Sequence, residues 1–230
     1  MTLEESFTKR TQNSLTKDFY VFDRGAIHQA TTQLYREFLR EGGYADFDTC
    51  SGLAVAKKIL CYDQSVKDLG FSGINREYVV NINHTDSKRL VEGLDGKLLT
   101  TKLMYSLFIP SLKYQTQAGN EEAQATLQEM IHIQAEWLED QILNKNKLKI
   151  GTGETPITPL NKDGNFDRTD LDEYGYPTQV NNQGEFCHWQ VVGNHKAAIR
   201  DADLRLGLNL GWNPSFMSGR IGVRLTKIIP

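Results

Sequence analysis

His84-Thr-Asp86 places an imidazole and a carboxylate two residues apart. At a strand end, such a pair supplies two ligands of a facial metal site with an open face left for substrate and oxygen. Two more histidines, His188 and His195, and an arginine, Arg200, lie further along the chain. Glu129-x-x-His132 is a second candidate. On a helix this spacing puts both side chains on one face, as di-iron carboxylate bundles require, but the sequence holds no second copy of the motif. The run from Asn161 to Glu173 carries Asp163, Asp167, Asp170 and Asp172, hard-oxygen groups of the kind that hold calcium. Its glycine, Gly164, is out of place for an EF-hand loop, and a solvated turn is the expectation. No phosphate-binding glycine loop, nucleophile elbow or zinc-protease motif is present.

Two stretches resemble known families. His84-Thr-Asp86, following the β-branched run Tyr78–Ile82, resembles the HTD of non-haem iron/2-oxoglutarate-dependent oxygenases. That likeness implies Fe(II) held by His84, Asp86 and His188, with His195 competing for the distal place and the Arg200 fork pairing the 2-oxoglutarate carboxylate. The tail carries Asp203-Leu-Arg205, Gly211-Trp-Asn-Pro-Ser-Phe216 and Ser218-Gly-Arg-Ile-Gly-Val-Arg-Leu225. It resembles the C-terminal end of formylglycine-generating-enzyme-type and related C-type-lectin-like domains, with Val223 where those domains carry an aromatic. The stretch Val191-Val-Gly-Asn-His195 lacks the tryptophan of their "GGSW" segment. Their copper-binding cysteine pair has no counterpart, since Cys187 is the only cysteine of this region. The likeness implies a ligand-binding fold without that catalysis.

The elements that must position these residues are read from periodicity. Phe19–Phe22 reads as a short strand after a polar lead-in over residues 1–18. Ile27–Glu41 reads as a helix closed by Gly42-Gly43, and Ser51–Leu60 as a second helix. Tyr78–Ile82 reads as a strand, Asp86–Glu92 as a helical turn, and Leu98–Phe108 as a helix stopping at Pro110. The strongest pattern predicts a long helix over about 120–144. Asn120 caps it, Leu127, Ile131, Leu138 and Ile142 form its stripe, and Lys145, Lys147 and Lys149 sit at its end. Beyond Gly151, turn residues separate short strands expected at Phe186–Val192, Ala197–Arg200, Leu204–Leu208 and Ile221–Ile229. The expected class is α+β: a mainly helical region over 1–150, then a loop-rich antiparallel β region over 151–230, in one continuous domain or two.

With 230 residues, 39% of them hydrophobic and 24% charged, the chain can bury a sizeable core without metal or disulfide. Its net charge of −3 and the lack of a long basic run point away from nucleic acid, and its apolar runs are too short to span a bilayer. Cys50, Cys61 and Cys187, odd in number and without CxxC spacing, suit a reducing compartment such as the cytoplasm, or a particle assembled there. The preferred reading is a non-catalytic binding or assembly protein without a cofactor, a homo- or hetero-oligomer of the sort found in phage-like particles. Tyr174, Tyr176, Trp212, Phe216, Arg220 and Arg224 are its candidate contact residues, because aromatic and arginine side chains dominate interfaces. An oxygenase and a lectin-like module are the alternatives.

Overall fold

The computed structural model describes residues 17–71, 77–133, 135–201 and 206–230. The greater part of the polar lead-in and the tail's Asp203-Leu-Arg205 lie outside the described residues. Strand β1 (Phe19–Asp23) appears where expected and leads into α1 (Arg24–Ala30), which starts where the Asp23 carboxylate accepts from the Ala26 N–H. Thr31 is extended, and the Thr32 hydroxyl accepts from the Tyr35 N–H to start α2 (Gln33–Glu41). The single helix expected over Ile27–Glu41 is thus two, because a threonine hydroxyl able to cap a new turn competes with helix continuation. Gly42 and Gly43 end α2 as the sequence predicts, with Gly43 left-handed at φ 70°.

The helix expected over Ser51–Leu60 is instead strand β2 (Gly52–Ala56), every residue of which is buried. It lies between β1 and the last strand, β11 (Thr226–Ile229), antiparallel to both. A strand covered on both faces need not alternate polar with apolar, so its period carries no strand signature. The strand expected at Tyr78–Ile82, between α3 (Gln64–Asp68) and α4 (His84–Gly93), reduces to isolated bridges, Cys61 with Tyr78 and Val80 with Gly222. Asn81, at φ 59°, breaks the extended run there. Helix α5 (Thr101–Leu103) passes through a π-helical turn, Met104–Phe108, into α6 (Ile109–Gln117). Pro110 does not stop this helix. It is the second residue of α6, directly after the π-helical turn, and the helix runs on through it.

The largest correction concerns the long helix over 120–144. Helix α7 (Glu121–His132) has the expected Asn120 cap, which accepts from the Glu122 and Ala123 N–H groups, but it ends at His132. Ala135–Leu143 is the strand β3. The stripe is cut at that boundary: Ile131 is 52% exposed, whereas Leu138 and Ile142 are buried. The N-terminal two thirds are therefore not a helical body. The fold is about 32% helix and 29% strand, with a large mixed sheet starting at β3.

That sheet holds β4 (Lys147–Ile150), β5 (Gly153–Pro156), β6 (Gly164–Phe166), β7 (Phe186–Trp189), β8 (His195–Asp201) and β9 (Gly207–Trp212) in the order β5-β4-β3-β8-β9-β7-β6, with β10 (Ile221–Gly222) beside β3. The pairs β7–β9 and β10–β3 are parallel, so the sheet is mixed and not antiparallel as expected. The strand expected over Leu204–Leu208 falls partly outside the described residues, and β9 starts at Gly207. Both faces of β3 are covered. Leu138 and Ile142 join a core with Tyr35, Met104, Phe108 and Met130, while Ala135 and Trp137 join a second core with Leu90, Val91 and Val223. No helix among the described residues is long and apolar enough to cross a membrane.

Candidate functional site

The residues singled out from the sequence are mostly committed inside the protein. His84 is fully buried at the start of α4, capped by Asn83 and not by Asp86. Its Nε2 meets the Leu138 carbonyl at 2.8 Å, its Nδ1 meets the Gln141 side chain at 3.0 Å, and its ring stands edge-on to Trp137. Burial pushes its pKa down to about 4, so it is neutral at pH 7. Asp86 points back along its own helix, accepting from the Asn83 amide and pairing with Arg89. His188, on β7, is buried with Nδ1 on the Lys162 carbonyl, and burial lowers its pKa too. Among the described residues no group of three or more His, Cys, Asp or Glu is placed to hold a metal. In the acidic run, Asp163, Asp167 and Asp172 each accept from backbone N–H groups, and the Asp170 carboxylate closes a capping box with Asp167. Tyr174 and Tyr176 belong to the core. Trp212 is half-buried, and Phe216 and Arg220 are exposed.

Three acids that periodicity did not single out lie on β3, all buried: Glu136, Glu139 and Asp140. The β3–β8 register slips between Trp137 and Gln141, and this bulge sets the last two among different neighbours. The Glu136 carboxylate accepts from Arg200 Nη2 and from Nε and Nη2 of Arg224, each at 3.0 Å. Burial alone would push its pKa up, but Arg224 and Arg200 outweigh it and hold the carboxyl below its usual range. Glu139 takes Lys88 Nζ at 2.5 Å and the Gly151 N–H. Asp140 has only uncharged donors, the Thr101 N–H at 3.2 Å and the Tyr176 hydroxyl at 2.8 Å, both on Oδ2. Burial pushes its pKa up to about 7.

The Glu136 cluster reaches the surface through Glu129. Arg224 Nη1 is held by the Ala56 and Lys57 carbonyls at 2.8 Å, and Nη2 also reaches Glu129 Oε2 at 3.3 Å. Glu129, on α7, lines a cleft of about 650 Å³ between that helix and the segment Ala56–Cys61. The same Oε2 accepts from the Ile59 N–H, while among the described residues no donor reaches Oε1. Burial raises the Glu129 pKa against the opposing pull of Arg224. The cleft floor is apolar, with Phe19, Ile59, Leu60 and Leu225, and its rim carries Lys17, Lys57 and Lys58 opposite Asp18 and Glu122. The motif Glu129-x-x-His132 had marked this glutamate, but with an exposed His132 as its partner, not Arg224. An apolar concavity with a few fixed polar groups is the arrangement of a small-ligand site.

No family model, curated protein or solved structure matches this chain.

Proposed function

We propose that this chain is a non-catalytic binding or assembly protein that takes a ligand in the cleft beside α7. The observation that carries this reading is Glu129, a lining residue of the cleft with one oxygen held by Arg224 and Ile59 and, among the described residues, no donor on the other. The groups that an iron/2-oxoglutarate reaction would draw on are engaged elsewhere: His84 by Leu138 and Gln141, Arg200 by Glu136. The tail's likeness to C-type-lectin-like domains belongs to the same class of function, ligand binding without chemistry. The test is a fragment screen by amide chemical-shift mapping on the full chain. Shifts gathered at Ala56–Cys61 and Glu122–Glu129 are expected, and hits that leave both segments unmoved sink the cleft as the site.

Assembly is the second reading, favoured by one surface. The Trp212 ring, at the end of β9, meets at 4.4 Å the ring of Phe216, on a loop that also presents Met217, 53% exposed, and Arg220. Light scattering over a concentration series checks it. Self-association that Phe216→Ala weakens is the expected outcome, and a monomer at every concentration removes the homo-oligomer.

A further inference from the structure

We infer that the cleft selects a small organic amine, whose ammonium bonds the open Oε1 of Glu129 while its apolar body lies on Ile59, Leu60 and Leu225. This rests on the binding reading above and names the ligand's chemistry. The cleft's charges divide into spent and unspent groups. Lys57 is tied to Glu122 at 2.9 Å and to the Lys17 carbonyl at 3.1 Å, with its ammonium over the Tyr20 ring. Asp63 is taken up by the Val66 N–H and the Ser65 hydroxyl at the start of α3. Lys17, Lys58 and Asp18 stand at the rim, where water screens them.

The deep charge is Glu129. It is the less compensated of the two acids on Arg224, which gives its 3.0 Å bonds to Glu136 and only a 3.3 Å bond to Glu129. A half-buried carboxylate with an unused oxygen gains most from a donor that also carries positive charge. The flanking surface is apolar and continuous with the buried side chains of Ile59 and Leu225, so the ligand needs an apolar body to displace water there.

Three probes with related skeletons separate the possibilities: 2-phenylethylamine, 2-phenylethanol and 3-phenylpropionate, each titrated into the full chain by NMR. The amine is expected to bind about tenfold tighter than the alcohol, the increment of a charge-assisted over a neutral hydrogen bond, and the carboxylate weakest. Glu129→Gln should erase the amine's advantage. Ala125→Trp, at an exposed position on the cleft wall, should weaken every probe. If Glu129→Gln does not fold, acidification of the wild-type chain gives the same reading: the advantage fades as Glu129 takes up its proton, and one that persists to about pH 4 overturns the inference. Equal affinities overturn amine selectivity and leave the cleft a binding site. A tighter carboxylate overturns it in favour of Lys17 and Lys58. Probes that leave the cleft amides unmoved, in wild type and Ala125→Trp alike, overturn both readings.

Discussion

The two ends of β3 treat a buried carboxylate in opposite ways. At Glu136, two guanidinium groups converge and keep the acid ionised. At Asp140, a few residues on, the neighbours are Thr101, Tyr176, Tyr35 and Tyr44, and Lys88 belongs to Glu139. Burial in low dielectric costs the same kind of desolvation in both places. What differs is the counter-charge, so one site is an ion cluster and the other a hydrogen-bond cluster whose acid is about half protonated near pH 7. The ion cluster extends to the surface through Glu129. The hydrogen-bond cluster ties the turn around Asp172 to β3, through the Tyr176 hydroxyl on Asp140, and Lys102 Nζ on the Asp172 carbonyl ties the same turn to α5.

The sharpest way to break this contrast is Glu136→Ala. It strands Arg200 and Arg224 as buried cations and should cost about 3–5 kcal/mol in urea unfolding. A loss under about 1 kcal/mol would mean that water reaches the cluster.

Asp140→Asn should act in the other direction, and with pH. The folded pKa of Asp140 is raised, so the folded state holds a proton that the unfolded chain releases. Its contribution is fully present below the unfolded value of 3.8 and is lost as pH rises through about 7. Wild type should therefore lose stability relative to Asp140→Asn across that window and be the less stable of the two at pH 8.5 by up to about 4 kcal/mol. His84 runs oppositely: its folded pKa is depressed, so its contribution grows as pH rises from about 4 to 6.5. The difference between the two chains, not the wild-type curve, is the readout. Parallel curves would show that Asp140 is ionised throughout.

Tyr176→Phe removes one neutral donor from Asp140. It should cost about 1 kcal/mol, with the Asp140 titration moved further up because a donor to the ionised form is lost. An unmoved titration would detach Tyr176 from that acid. Phe216→Ala, on the exposed loop, should change stability by less than about 0.5 kcal/mol. A larger loss would place Phe216 in the core and take away its role as a contact residue.

The residues on either side of His132 show how far local pattern could be read. Asn120 with Glu121 and Glu122 marks the start of α7 unambiguously, since capping is chemistry between near neighbours. The sequence likewise carried β1, the glycine end of α2, a helical turn over Asp86–Glu92 and strands in the tail. Past His132, the apolar spacing of Leu138 and Ile142 continues the helical stripe in register, while the backbone is a strand. Ala135–Leu143 interleaves acids with apolar residues because it is buried on both faces, and only those faces supply the groups that neutralise or bond the acids. Lys88, Arg200, Arg224 and Tyr176 are 36 to 88 residues away from their partners along the chain. The resemblances that nominated His84, Asp86 and His188 had the same limit, because residue type carries no information on whether a ring nitrogen is already bonded.

By itself, then, the sequence determined what near neighbours decide: caps, turn glycines, the amphipathic start of α7, and the supply of acids and bases in the chain. The tertiary structure alone decided that Ala135–Leu143 is a strand, that Glu136 is held ionised while Asp140 keeps its proton to a higher pH, and that Glu129 opens on a cleft. Each of these depends on desolvation and counter-charge, which are set by what the fold packs against a residue and not by what precedes it in the chain.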